Sequence, residues 1–265
     1  MIEWKFDGPS VDEGGNNCEP GVTGQPIVTI VTAVFNGAKT LRSAMSSVIS
    51  QLGDDAEYIV IDGGSKDGTV EIIKKFSSRL AYWVSESDRG IYDAWNKGVL
   101  ASRGRYIAFV GADDVLESGA LEAYKKLVAR RPDLEYVSSR VAFGKRDGRI
   151  IGRAWRWSEY RRYMTAAHVG SLHRRDLYER YGLYDVNYRI AGDYEFLMRV
   201  GAALKAGFLD QVTVVMGAEG VSSSQVRRAL AEARMAKVAT GACGSLTAGF
   251  DFVVAHLKAR VRALL

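Results

Sequence analysis

From Pro26 onward, apolar β-branched runs alternate with segments whose apolar residues recur at helical spacing. Residues 27–33, Ile-Val-Thr-Ile-Val-Thr-Ala, show no polar alternation and predict a buried strand. Residues 41–51 predict a helix with Leu41, Met45, Val48 and Ile49 on one face. The alternation continues with strands over 58–61, 82–84 and 106–110 and helices over 70–76, 91–101 and 118–129, the last stopped by Pro132. The run Gly63-Gly64-Ser65-Lys66-Asp67-Gly68 is a turn by composition. Strands over 135–143 and 149–153 flank a turn at 145–148, helices follow over 174–181 and 193–204, and 208–216 predicts a last strand. Helices over 225–239 and 250–265 complete the pattern.

Strand alternating with helix predicts an α/β fold, a parallel sheet covered on both faces. Ligands of such sheets sit beyond the carboxyl ends of the strands. Three predicted strand ends carry polar or acidic groups: Thr32, Asp62, and the pair Asp113-Asp114. Adjacent carboxylates there are hard ligands for Mg²⁺ or Mn²⁺, or else a helix N-cap. Asp62 can accept from a nucleobase or hold its own glycine turn. Asp193 would open a helix, as a general base at a cleft edge or as an N-cap. Arg89, Asp93, Asn96 and Lys97 form a helical stripe that reads as a solvated face or a site. His168 and His173 are five apart, which does not suit a helical zinc pair; His168 can still bind substrate. Trp155 and Trp157 alternate strand-wise and are expected to share one face.

Composition narrows the classes. The chain has 265 residues, 47% hydrophobic and 25% charged, a globular balance that excludes a mainly disordered chain. Two cysteines, Cys18 and Cys243, cannot build a disulfide framework, so a reducing, cytoplasmic setting is expected. No apolar run is long enough for a spanning helix. Residues 1–25 lack the basic start and apolar core of a signal peptide and are expected to be a flexible lead-in. The segment from Glu219 to Leu265 holds seven basic and three acidic residues, most of the net +5. Its aromatics are too few for nucleic-acid binding. Phe250, Val253, Val254, Leu257, Val261 and Leu264 recur at helical spacing beside Lys258, Arg260 and Arg262. That pattern suits an anionic membrane surface, or packing on protein. The expected organisation is a lead-in over 1–25, a domain over 26–220 and a basic amphipathic tail over 221–265. The P-loop, dinucleotide-binding and nucleophile-elbow signatures are missing.

In order, the stretches resemble family 2 glycosyltransferases, inverting enzymes with a nucleotide-sugar-binding GT-A fold, over residues 26–223. The carriers are Thr32-Ala33-Val34-Phe35-Asn36-Gly37; Ile61-Asp62-Gly63-Gly64-Ser65-Lys66-Asp67-Gly68; Ser85-Glu86-Ser87-Asp88-Arg89-Gly90-Ile91-Tyr92-Asp93; Gly111-Ala112-Asp113-Asp114; and Gly192-Asp193. The third is similar to a stretch typical of the bacterial exopolysaccharide branch. The resemblance implies a Rossmann-like, mixed but mostly parallel sheet flanked by helices, with a helical tail. It implies that Thr32 and Phe35 line a nucleobase pocket, Asp62 bonds the base and Asp88 helps hold the nucleotide. Asp113 and Asp114 would bind Mn²⁺ or Mg²⁺, Asp193 would be the catalytic base, and His168 would stand beside the acceptor. The donor would be a UDP- or GDP-sugar, UDP preferred. The acceptor would be a glycan or lipid-linked hydroxyl in cell-surface polysaccharide synthesis, at the inner face of the cytoplasmic membrane. Two departures stand out: Gly111 replaces the first aspartate of the D-x-D motif, and Gly192 occupies a position that is acidic in many relatives. The rival readings are a sugar-phosphate nucleotidyltransferase and a non-catalytic nucleotide-sugar or glycan-binding module.

Overall fold

The computed structural model describes residues 12–16, 25–144, 148–217 and 225–262. Residues 145–147 of the expected turn, Cys18, Leu264 and most of the lead-in therefore lie outside the described residues.

The strands form one mixed sheet. Its central parallel strands are β2 (Val28–Val34), β3 (Ala56–Asp62), β4 (Tyr82–Ser85) and β5 (Tyr106–Phe109). β9 (Ser171–Arg174) runs antiparallel between β5 and β7 (Tyr136–Phe143), and β10 (Ala206–Met216) runs parallel to β7. With β1 (Asp12–Gly14) and β6 (Val115–Leu116) at the ends, the order is β1-β4-β3-β2-β5-β9-β7-β10-β6, with β8 (Arg149–Ile151) paired to β7. β6 (Val115–Leu116) is a two-residue strand on β10. The expected lead-in is not free chain at its described part: β1 (Asp12–Gly14) pairs antiparallel with β4.

Strand alternation divides the core between the two faces. Ile30, Val34, Tyr58 and Val60 meet α1 (Leu41–Ile49), α2 (Thr69–Phe76) and α4 (Ala120–Arg130). Val31, Ile59, Ile61 and Val84 meet α3 (Ile91–Ala101), α6 (Asp176–Tyr181) and α7 (Gly192–Val200). Each helix covers strands with its apolar stripe, so burial rather than intrinsic propensity holds it. α4 begins two residues later than its periodicity predicts, after the left-handed Gly119, φ +77°.

The tail folds back as α8 (Val226–Ala239) and α9 (Ser245–Arg262). Asp251, 1% exposed, accepts from the Arg162 guanidinium at 2.8 Å and from Lys237 Nζ at 3.0 Å. This packing joins α9 to the loop after α5 (Trp157–Tyr160) and to α8. The other side of α9 leaves Leu246, Phe250, Val253 and Leu257 exposed. Of the two expectations for this helix, packing on protein is met on its inward face.

Candidate active site

The parallel strands end at one edge, where the following turns build a cleft of about 1280 Å³. Asp62 closes β3 and holds its glycine turn. One carboxylate oxygen accepts from the backbone N–H of Gly64 at 3.1 Å and of Ser65 at 2.9 Å, and from the Ser85 hydroxyl at 2.6 Å. Ser65 Oγ donates to the other oxygen at 2.5 Å and accepts the Asn36 N–H at 2.6 Å. Lys66 N–H returns a bond to Asn36 Oδ1 at 3.0 Å. Asp62 therefore locks the turn after β3 to the turn after β2, with no surface of its own exposed. Of its two sequence readings, the geometry realises the turn.

Phe35, on the locked turn, is 66% exposed and lines the cleft. Thr32 does not line it. Strand alternation sends its side chain into the core, where its hydroxyl accepts from Tyr58 at 2.9 Å. The expected Thr32 contact with a nucleobase is therefore corrected.

Asp88 lines the cleft and accepts the Gly90 N–H at 2.7 Å; burial pushes its carboxyl above the usual range. A Cβ on Gly63 would stand 2.5 Å from this carboxylate, so a side chain there would have to displace Asp88. The neighbouring helix is no solvated stripe. Lys97 is buried, paired with Glu86 at 2.7 Å, and Asn96 exchanges two bonds with the Tyr184 backbone. Only Arg89 and Asp93 keep a surface pair.

Asp113 and Asp114 divide their tasks. Asp114 is 2% exposed and accepts the Gly111 N–H at 2.8 Å and the Gly217 N–H at 2.9 Å, tying the end of β5 to the end of β10. Burial pushes its carboxyl up to about 6. Neither residue is a helix N-cap, since α4 starts at Ala120. Asp113 is exposed in the cleft. Among the described residues no group of three His, Cys, Asp or Glu side chains converges to hold a metal. One open carboxylate fits a divalent cation that completes its shell with diphosphate oxygens and water, rather than an all-protein cage.

Asp193 stands in the first turn of α7, 7% exposed, on the cleft wall. Its Oδ1 accepts from the Tyr92 hydroxyl at 3.1 Å and the Tyr194 N–H at 2.9 Å. Burial pushes its carboxyl up to about 6; the Tyr194 and Tyr92 bonds oppose that rise. It is not the N-cap, a place taken by Ala191. A Cβ on Gly192 would approach the Tyr92 ring to 2.9 Å, so this departure from the family pattern makes room for the tyrosine. The segment before α7 is held from the tail: Glu232 Oε2 accepts the N–H groups of Arg189, Ile190 and Ala191 at 2.8–3.0 Å. Its Oε1 takes Arg228 at 2.9 Å.

His168 lines the cleft between Trp95 and Phe109, with ring centroids at 4.3 and 4.6 Å. Burial, and then His173 beside it, holds its imidazole well below the usual value and therefore neutral. His173 is fully buried between Ser171 and Tyr178, away from any metal role. Trp155 and Trp157 stack at 6.4 Å and do share a face, although Trp157 begins α5 rather than continuing a strand.

The structure thus brings Phe35, Asp88, Asp113, Asp114, His168 and Asp193 to one cleft and turns Thr32 and Asp62 away from it. Sequence reasoning missed Tyr92, Arg189, Arg228 and Glu232. Tyr92 was within reach, one turn from Asp88 at the start of a helix on the ligand edge. Nothing in the sequence ties Glu232 to residue 191.

The cleft holds an exposed ring, Phe35, and an open carboxylate, Asp113, together with the buried carboxylate of Asp193. The model for glycosyl transferase family 2 matches residues 29–187. A "PGL/p-HBAD biosynthesis glycosyltransferase" of Mycobacterium bovis is 29% identical over 178 residues, 66% of this chain and 69% of that protein. An uncharacterized glycosyltransferase of Mycobacterium tuberculosis is 29% identical over 213 residues, 76% and 79% of the two chains. Two solved structures share the GT-A fold. Staphylococcus aureus TarS with UDP-GlcNAc has a TM-score of 0.65 at 15% identity, over 79% of this chain and 66% of that one. The Pyrobaculum calidifontis mannosyltransferase PcManGT with GDP-Man and Mn²⁺ has 0.62 at 18%, over 93% and 82%. With the family model spanning more than half of its length and these relatives alongside, the chain belongs to glycosyl transferase family 2.

Proposed function

We propose that the protein is an inverting glycosyltransferase that moves a sugar from a UDP-sugar to a hydroxyl of a glycan or lipid-linked acceptor in cell-surface polysaccharide synthesis. The observation that carries this reading is Asp193: a buried carboxylate on the wall of the cleft that also holds Asp88 and Asp113. Its value of about 6 leaves it mostly ionised at neutral pH yet basic enough to accept a proton. Asp193 takes the proton from the acceptor hydroxyl, whose oxygen bonds to the anomeric carbon. The bond from that carbon to the diphosphate breaks on the opposite face, and one displacement inverts the configuration. A transferase of this kind needs one protein carboxylate for proton transfer, not the pair a hydrolase uses.

Phe35 offers an exposed ring for the base, on the turn that Asp62 locks, and Asp88 faces the nucleotide. Arg189 and Arg228 line the same cleft and complement diphosphate charge. Asp113 would hold Mn²⁺ or Mg²⁺ together with the diphosphate; such an ion, when bound, neutralises the departing group. Asp114 keeps the turn in place rather than serving as a second ligand. His168 presents a neutral edge beside the acceptor. The UDP-GlcNAc and GDP-Man neighbours support a nucleotide-sugar donor. The working position is peripheral, on the inner face of the cytoplasmic membrane.

Isothermal titration with UDP and GDP, each with Mn²⁺ or with EDTA, tests the reading. UDP binds with Mn²⁺, and EDTA or Asp113→Ala weakens it at least about tenfold, the scale of one lost charge-assisted contact. Absence of binding by either nucleotide to folded protein would contradict the reading.

A further inference from the structure

A second cavity, of about 230 Å³, lies where α7, α8 and α9 meet. Its wall is apolar and cut from small side chains: Ala229, Ala233, Ala248 and Ala255, with Leu230 and Phe252. The polar groups around it are largely committed elsewhere. Tyr194 donates its hydroxyl to the Tyr160 carbonyl, and Arg162 and Lys237 are paired with Asp251. A dry apolar cavity of about 150 Å³ accepts benzene, so this one accepts a ring or a short hydrocarbon segment. Its position is informative. Met164 and Ile190 line both this cavity and the catalytic cleft. Met164 and Tyr163 are exposed at its rim, and Ala191, two residues before Asp193, forms part of its wall.

We propose that this cavity seats the hydrocarbon part of the acceptor, an alkyl chain that runs from the hydroxyl at Asp193 past Met164 and Ile190 into the space between α8 and α9. The proposal rests on the transferase reading and adds the chemical class of the acceptor. An alkyl chain buries there and leaves its polar end on the Met164 side, within the cleft. Its seat is distinct from the outward face of α9, where Leu246 and Phe250 stand exposed.

The test uses a dansyl-labelled fatty acid followed by fluorescence, with octanol as a neutral competitor, on the full chain. Wild type binds the probe saturably at one site, and octanol displaces it. Ala233→Trp and, separately, Ala229→Phe fill the cavity and weaken binding about tenfold or more, the equivalent of roughly two buried methylenes. Both variants keep the wild-type thermal melt and the wild-type titration with UDP and Mn²⁺. Absence of saturable probe binding in wild type would overturn the proposal, as would binding unchanged in both filled variants. The nucleotide titrations separate the two readings. Failed probe binding with intact nucleotide binding removes the alkyl seat alone, whereas failed nucleotide binding in wild type removes the transferase reading beneath it.

Discussion

Asp193 sits in a wall built of aromatic rings and backbone, and its chemistry follows from that burial. A carboxyl group raised to about 6 binds its proton more readily in the folded protein than in the unfolded chain. Ionising it therefore removes stability as pH rises from the ordinary carboxylate range through about 6. Catalysis runs the other way, since only the ionised form accepts a proton. The expected pH profile of kcat/KM thus has an acid limb near pH 6, where Asp193 titrates. Asp193→Asn removes the buried charge and is expected to raise stability in urea at about pH 8 by on the order of 2 kcal/mol. Equal or lower stability of the variant would count against a raised carboxyl. Tyr92 donates to the same carboxylate and favours its ionised form. Tyr92→Phe is expected to shift the acid limb upward and lower the rate about tenfold, for the loss of one hydrogen bond to a charge. A pH profile superimposable on wild type would show that the hydroxyl is a bystander.

At the scale of elements, the segment carrying Asp193 is held from far along the chain. Glu232 of α8 accepts three consecutive N–H groups at residues 189–191, just ahead of the first turn of α7. On the proposed mechanism it would touch no reacting atom and would act by positioning. Glu232→Ala is expected to lower kcat about 10–100-fold, the scale of a displaced catalytic group, with nucleotide affinity within about twofold of wild type. Glu232→Gln, which keeps a carbonyl acceptor, is expected to recover part of kcat. Losses confined to KM, with no rescue by Gln, would contradict a positioning role. This contact also marks how far the sequence could be read. The bounds of α3 were legible because its apolar period is unbroken from Ile91 to Ala101. β2 and β3 were legible as runs rich in β-branched residues, and β5 as a short apolar run. β6 and β9 were not: two and four residues long, they exist only through the strands beside them. The locking role of Asp62 was open in the sequence as one of two readings. Thr32 was misplaced because periodicity does not say which face of a doubly covered strand meets the ligand.

At the scale of the molecule, the tail joins the catalytic body instead of forming a separate unit. Composition revealed its basic excess, whereas the buried Lys237–Asp251 pair and the Glu232 clasp depend on pairings 14 and 41 to 43 residues apart, which composition cannot display. What remains outward on α9 is the row Leu246, Phe250, Val253 and Leu257, with Lys258 and Arg260 beside it. The proposed peripheral position would place that face on an anionic bilayer. In co-sedimentation with vesicles containing phosphatidylglycerol, Phe250→Glu combined with Leu257→Glu is expected to abolish binding and leave nucleotide affinity unchanged. Equal sedimentation of variant and wild type would refute membrane contact through α9. The central claim is that Asp193 performs proton transfer in a cleft that binds the donor without its help. The most direct measurement pairs donor binding with transfer in Asp193→Asn, using the UDP-sugar that wild type consumes. Donor affinity within about threefold of wild type, with transfer reduced at least about 10³-fold, is the expected result. Sustained turnover by Asp193→Asn, at a rate near that of wild type, would contradict it.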